Sequence, residues 1–166
     1  GTFVINVTRD MVVQNGARLS IGNVGDALVD TLELYLGLSD PSAPVASLIA
    51  QNGSSILTAP RPGDPVPHSV DLKIYGLASC TTNSKVDPAI TINNSGEFWG
   101  VIYAPDAPLR ILNSGSMYGS FVGYSLSIYN SGAFYYDSII PLEQTEGPWY
   151  FEIERWWEET GPPPGP

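Results

Sequence analysis

The feature that most constrains this chain is a tripeptide, Asn-Ser-Gly, that occurs three times at short and nearly equal intervals. The copies begin at Asn94, Asn113 and Asn130, so their spacings are 19 and 17 residues. Each copy follows a strand-like run and is followed, one residue later, by a bulky apolar residue and then an aromatic one. This pattern is typical of a chain that stacks a strand, a tight turn and a second strand as one repeating rung.

Stacked rungs explain why these residue types recur. Neighbouring parallel strands lie about 4.8 Å apart, so successive rungs pair their backbones and bury a continuous apolar face. Glycine supplies backbone angles that other residues avoid, and asparagines at equivalent turns form a hydrogen-bonded ladder. We therefore expect Ala89–Asp137 to form three consecutive rungs, with further, less regular rungs before it. The expected fold is all-β, a single-stranded parallel β-helix (β-solenoid) of about seven to eight rungs.

Short β-rich runs separated by Gly, Asn, Ser and Pro cover the rest of the chain. They are Phe3–Val7, Met11–Val13, Arg18–Ile21, Thr31–Leu36, Val45–Ile49, Asp71–Tyr75 and Ala89–Ile92. The proline-rich stretch Thr58–Pro67 is expected to be a surface loop. We expect residues 1–145 to form the β-solenoid domain, and residues 146–166 to form an aromatic C-terminal strand or cap followed by a proline-rich tail.

Strand alternation predicts which side chains face the core. The expected inward set is Ile90, Ile92, Phe98, Ile102, Leu109, Ile111, Met117, Phe121, Leu126, Ile128 and Phe134. The residues between them form an outward aromatic column, which makes a candidate interaction surface of Trp99, Tyr103, Tyr118, Tyr124 and Tyr135, together with Trp156 and Trp157. Two interpretations stay open: the C-terminal segment 149–157 or a neighbouring subunit covers this column, or the column stacks on sugar rings.

Charge excludes some partners. With 17 acidic and 7 basic residues the net charge is -10, which argues against binding nucleic acid or an anionic membrane surface. No apolar run reaches the length of a membrane span. A charged fraction of only 14%, with many Ser, Thr, Asn and Gly residues, is typical of extracellular all-β proteins. We expect an extracellular or cell-surface location, and as partners other protein subunits or a polysaccharide.

Catalytic chemistry has little support in the sequence. A His-dependent triad would need His68, the only histidine, which follows the proline-rich loop and is expected to be exposed. Arg110 with Asp106 and Asp87 is the only cluster that suits a polysaccharide-degrading enzyme. We expect no enzyme and no cofactor, although a structural calcium ion stays open because the chain has many carboxylates. The single cysteine, Cys80, is expected to be a buried apolar residue.

Three Asn-x-Ser/Thr sequons make Asn6, Asn52 and Asn93 candidate glycosylation sites.

Several motifs also resemble a domain found at the C-terminus of bacterial type IV pilus-associated surface proteins. Phe98–Ala107 resembles its GxIYAPxA signature, and Tyr118–Gly123 resembles the segment that follows. Further matches are Leu72–Gly76, Phe134–Asp137 and Trp156–Glu159. The resemblance implies a parallel β-helix without enzymatic activity. The leading hypothesis is therefore a structural subunit of a surface appendage; the alternatives are a carbohydrate-binding adhesin and, more remotely, a polysaccharide-degrading β-helix.

Overall fold

The computed structural model describes residues 1–21, 31–58, 60, 67–80 and 89–137. Eleven strands account for most of these residues: β1 (Thr2–Val7), β2 (Asp10–Val13), β3 (Arg18–Ile21), β4 (Thr31–Leu36), β5 (Ser47–Gln51), β6 (Ser55–Thr58), β7 (Leu72–Gly76), β8 (Ile90–Asn93), β9 (Glu97–Leu112), β10 (Ser116–Tyr129) and β11 (Ala133–Tyr136). A short 3₁₀ turn, Ser69–Asp71, precedes β7. The expected strands are therefore present, with ends shifted by one or two residues.

All strands belong to one parallel sheet that curls into a nearly closed, barrel-like shape. The pairings arrange them in three columns. Column A contains β1, β4, β7 and the middle parts of β9 and β10. Column B contains β2, β5, β8 and the last parts of β9 and β10. Column C contains β3, β6, the first parts of β9 and β10, and β11.

One strand from each column, taken in chain order, makes what we call a level. The three columns then hold five levels, and the first consists of β1, β2 and β3. This is fewer than the seven to eight rungs expected from the sequence. The expectation assumed two strands for each rung, whereas the chain uses three, so the same strands fill fewer levels. Within Ala89–Asp137, where three rungs were expected, the chain completes two levels and supplies two of the three strands of another, whose first strand is β7.

The core lies inside the curl and is built by alternation along each strand. In β4, for example, Leu32, Leu34 and Leu36 are buried while the residues between them are partly exposed. The expected inward residues of β8, β9 and the start of β10 are all buried, from Ile90 to Met117. Phe121 and Phe134 are half-buried against this core. Leu126 and Ile128 have the inward register but are 42% and 43% exposed, because in the described chain no strand pairs beyond β10 in column B.

The turn glycines have a different role from the one expected. The left-handed backbone angles fall on the asparagine and serine of each tripeptide, with φ of 49° and 61° at Asn94 and Ser95. Gly115 instead lies against the preceding level, where an added Cβ would be 2.6 Å from the Ile92 carbonyl oxygen. Gly132 meets the Ile111 carbonyl in the same way. Glycine is therefore required here by close approach between levels and not by its φ angle.

Replacing Gly115 by alanine should lower the free energy of unfolding by about 1–3 kcal/mol, because the new methyl group overlaps the Ile92 carbonyl. Replacing its neighbour Ser114, which has φ of 63°, by glycine should raise stability or leave it unchanged, because glycine adopts this angle without strain. Urea unfolding of both variants measures the difference. An unchanged midpoint for Gly115→Ala would show that the turn moves away from Ile92 at no cost.

Candidate interaction surface

A ladder of asparagine side chains connects all five levels at the turn between columns B and C. Its members are Asn15, Asn52, Asn94, Asn113 and Asn130, and each has positive φ. Nδ2 of each asparagine donates to Oδ1 of the one before it, at N···O distances of 3.3, 3.0, 3.2 and 3.0 Å along the chain. Asn113 Nδ2 also donates to Asn93 Oδ1 at 2.9 Å. This is the ladder expected from the tripeptides, extended by two members.

Backbone hydrogen bonds at the same turns run in the opposite direction. The amides of Gly16 and Gly53 donate to the carbonyls of Asn52 and Asn94, each at 3.0 Å. Ser95 and Ser114 donate likewise to the asparagine carbonyls of the next level. The asparagine side chains thus donate toward the N-terminal level, whereas these backbone amides donate toward the C-terminal level; the amides two residues further on, such as that of Ser116 to the Gly96 carbonyl, donate toward the N-terminal level again. The ladder consequently has a direction, and its two ends differ chemically.

The first two members were missed because their turns read Asn-Gly and not Asn-Ser-Gly. Asn15-Gly16 and Asn52-Gly53 place two successive residues at positive φ, as Asn94-Ser95 does. Asn-Gly is the dipeptide that favours such turns most, so it was the available signal. The spacings of 37 and 42 residues hid the repeat, since they are about twice those of the later turns.

The outward aromatic column is a stack of three rings. Trp99, Tyr118 and Tyr135 align in register on β9, β10 and β11. Ring centroids lie 4.2 Å apart for Trp99 and Tyr118, and 4.7 Å apart for Tyr118 and Tyr135, with interplanar angles of 13° and 10°. The Trp99 indole N–H donates to Glu97 Oε1 at 2.8 Å, which fixes the first ring. Tyr118 has a ring against each of its faces and presents mainly its edges to solvent, while Tyr135 ends the stack and is 51% exposed.

Column A carries a second stack that sequence reasoning did not identify. Tyr35 and Tyr75 align in register with centroids 5.0 Å apart. Tyr103 aligns with Tyr75 and is 43% exposed, so it continues this column and not that of Trp99. The available signal was a shared pattern, since an aliphatic residue directly precedes each tyrosine: Leu34-Tyr35, Ile74-Tyr75 and Ile102-Tyr103.

Partial burial in these stacks perturbs the phenols. Desolvation is the main cause that raises the pKa of Tyr118, followed by the charges of Tyr135 and Glu97. In the second stack, desolvation followed by Glu33 raises the pKa of Tyr35 and of Tyr75. Tyr35 donates its hydroxyl to Glu33 Oε2 at 3.3 Å. Both stacks therefore behave as partly dehydrated surface in which the neutral phenol is favoured.

The remaining members of the candidate surface are separate from the stacks. Tyr124 lies at a register shift in β10 and is 78% exposed. Trp156 and Trp157 lie outside the described residues.

The candidate glycosylation sites differ in their surroundings. Asn6 is exposed on β1. Asn52 belongs to the ladder, and a glycan on its Nδ2 would stand where that atom donates to Asn15. Asn93 accepts from Asn113 through Oδ1. A sugar on Asn6 would leave the ladder intact, whereas one on Asn52 would disturb the hydrogen bond to Asn15.

His68 is buried, contrary to the exposed position expected from the sequence. It is only 6% exposed, and Ser69 and Asp71 beside it are buried too. The reason is the 3₁₀ turn, which follows the proline-rich stretch and packs against β9 and β10. Ser69 Oγ donates to the Tyr118 carbonyl at 3.4 Å, so this polar segment joins the turn to the sheet. A substrate in solvent has no direct access to these side chains.

The other residues considered for chemistry do not form a described site. Asp106 is exposed and Arg110 is partly exposed on β9, and Asp87 lies outside the described residues. Within the described ranges, no group of three or more His, Cys, Asp or Glu side chains is placed to hold a metal ion. Cys80 is 1% exposed, and burial raises the pKa of its thiol to about 12, so it is the buried residue expected.

Replacing Asn113 by glycine tests the ladder, because glycine keeps the positive φ and removes only the side chain. Asn113 takes part in three side-chain hydrogen bonds, and Asn130 in one. We expect Asn113→Gly to lower the unfolding free energy by about 1–3 kcal/mol and the matched Asn130→Gly by about 1 kcal/mol or less. Equal losses of unfolding free energy for the two variants, measured by urea unfolding, would contradict a ladder in which each asparagine stabilises the fold through its own hydrogen bonds.

Replacing Tyr118 by leucine should destabilise the fold by about 1–3 kcal/mol, because it removes ring contacts with both Trp99 and Tyr135. Tyr124→Leu is the matched control, since Tyr124 is exposed and stacks on no ring in the described chain. Thermal unfolding measures the stability of both variants. The stacking interpretation fails if both variants unfold at the same temperature.

Comparison with known proteins gives one match that covers most of the chain. Residues 1–141 match a family described as a domain of unknown function (DUF7305). No curated protein and no solved structure matches the chain. Because the match extends over all described strands, the chain belongs to the DUF7305 family of domains of unknown function.

Proposed function

We propose that this chain is a non-enzymatic structural subunit of an extracellular surface appendage, either pilus-associated or filament-forming, and that it is built as a β-solenoid. The observation that carries the proposal is that its regularly placed polar and aromatic side chains contact their counterparts on adjacent levels. Asparagines bond asparagines, and aromatic rings stack on aromatic rings. Such contacts make the stacked levels rigid and leave few of these side chains free to bind or act on a substrate.

The order of the strands supports the solenoid. The chain passes through columns A, B and C in the same sequence on every level, and each return pairs in parallel with the level before. The fourth and fifth levels follow this order within the long strands β9 and β10. In a solenoid each level contacts only its neighbours, so stability accumulates along one axis. This property suits a subunit that carries load or spans distance.

The residues that resemble the pilus-associated domain take part in this stacking. Trp99 and Tyr118 belong to two of the matching motifs, and Tyr135 to a third. The resemblance therefore includes residues that stack between adjacent levels. This supports a structural role for this chain, as the resemblance implies for the pilus-associated domain. The low charged fraction fits an extracellular setting. In the described part of the chain, no helix is long and apolar enough to cross a membrane.

A carbohydrate-binding adhesin is the second candidate, favoured by one observation. Tyr124 is 78% exposed and makes no ring stack in the described chain, so its faces are open to a sugar. A single open ring provides much less binding surface than a row of rings whose faces point outward. The mutual stacking of Trp99, Tyr118 and Tyr135 therefore favours the structural proposal.

Light scattering with electron microscopy of the full chain tests the proposal. We expect concentration-dependent oligomers or filaments, because a structural subunit must associate. Binding to a panel of polysaccharides, with Tyr124→Ala as the variant and Tyr129→Ala as the exposed tyrosine control, tests the alternative. A chain that stays monomeric at all concentrations, and loses sugar binding only in Tyr124→Ala, would replace the structural proposal by the adhesin.

A further inference from the structure

The two edges of the sheet are complementary in hydrogen bonding. At the N-terminal edge, Asn15 Oδ1 accepts from Asn52, and its Nδ2 has no partner among the described residues. At the C-terminal edge, Asn130 Nδ2 donates to Asn113, and its Oδ1 has no partner there. In the backbone, the Asn15 carbonyl accepts no hydrogen bond from a described residue, and the Ser131 amide donates none. The unpaired donor and acceptor at the N-terminal edge therefore match the unpaired acceptor and donor at the C-terminal edge.

The apolar side chains at the two edges are also complementary. Phe3 and Ile5 on β1 have the register of buried Leu32 and Leu34, yet they are 61% and 47% exposed. At the other edge Leu126 and Ile128 continue the core and are 42% and 43% exposed. Placing the two edges together in register would bury these residues as another core layer. Ile5 would then follow Phe121 in column A, as successive pairs do within the chain.

Neither main edge strand carries a charge that would block pairing. Strand β1 contains no Asp, Glu, Lys or Arg, and the same holds for residues 120–129 of β10 and for β11. Proteins usually protect exposed edges with charged side chains or proline, because an open uncharged edge pairs with another chain. Among the strands of the N-terminal edge, charges occur only at the first residues of β2 and β3, Asp10 and Arg18. Strand β1 and the whole C-terminal edge therefore lack this protection, which favours pairing between them.

We propose that the C-terminal edge of one copy of this chain binds the N-terminal edge of a second copy, in parallel and in register, so that the asparagine ladder continues from Asn130 to Asn15 of the second copy. This inference rests on the proposed function, since it names the partner and the geometry of assembly. Head-to-tail contact matches the side-chain donor of Asn15 to the side-chain acceptor of Asn130, whereas two N-terminal edges would bring two Asn15 side-chain donors together. Repetition of the contact makes a polar, unbranched filament.

A pair of cysteines that leaves the ladder intact tests the contact. Val12 and Ser127 lie at the same outward position of column B, on its first and last strands. Within one chain they are four strand spacings apart, roughly 19 Å, which is too far for a disulfide. Across the proposed contact they are one spacing apart, about 4.8 Å, within disulfide range. The buried thiol of Cys80 should not interfere.

Under mild oxidation the full chain with Val12→Cys and Ser127→Cys should form dimers, trimers and longer disulfide-linked species. Either single variant should assemble without forming disulfide-linked species, because head-to-tail contact brings its cysteine near no other. Abundant dimers of a single variant would mean that like edges meet, and would overturn the proposal.

The ladder contact itself is tested by Asn15→Asp. The aspartate keeps an oxygen that accepts from Asn52 but loses the donor meant for Asn130 of the second copy. We expect the protein concentration at which half of the chains are assembled to rise roughly tenfold or more, because Asn130 Oδ1 of the neighbouring copy is left without its donor. Gln14→Glu is the matched control: it adds the same charge one residue away and keeps the acceptor for Gln51. An equal effect of both variants would assign the change to charge alone.

The outcomes also separate this inference from the proposed function. If the native chain assembles but the double-cysteine variant forms no disulfide-linked species, assembly uses another surface, and the head-to-tail contact is wrong while the structural role stands. If the native chain stays monomeric throughout, both fail, and residues 138–166 become the candidate cover for the C-terminal edge.

Discussion

Parallel pairing in register is the constraint on which the rest of this structure depends. It places each side chain one strand spacing from its counterpart on the next level, so a column must consist of residues that tolerate contact with their own kind. Asparagine meets this condition because one amide donates and accepts at once. Aromatic rings meet it because their faces stack when slightly offset. The composition of the columns follows from this requirement.

The same constraint explains the backbone at the turns. Close approach of levels leaves no room for a Cβ beside the carbonyl of the preceding level, so glycine occupies the positions of Gly115 and Gly132. The left-handed angles then fall on residues one and two positions earlier, where asparagine and serine accept them. Asparagine tolerates such angles better than most residues, and here it also supplies the ladder. One residue thus satisfies the turn and the contact between levels.

Sequence reasoning identified the features that repeat at short range. The three Asn-Ser-Gly turns, the inward set from Ile90 to Met117 and the alignment of Trp99 with Tyr118 and Tyr135 all follow from two-residue alternation and a period near 18 residues. The extension of the ladder to Asn15 and Asn52 could not be read in this way, because long connections separate these turns. The burial of His68 was also beyond reach, since it depends on how a non-repeating segment packs on β10.

Unequal connections between equivalent turns have a consequence for the order in which contacts form. Closing the 17 residues between Asn113 and Asn130 costs about 0.8 kcal/mol less chain entropy than closing the 42 residues between Asn52 and Asn94. The levels nearest the C-terminus therefore have the lowest entropic cost of first contact, although the ribosome delivers them last. In this chain the direction of synthesis and the entropic order of closure run opposite to each other.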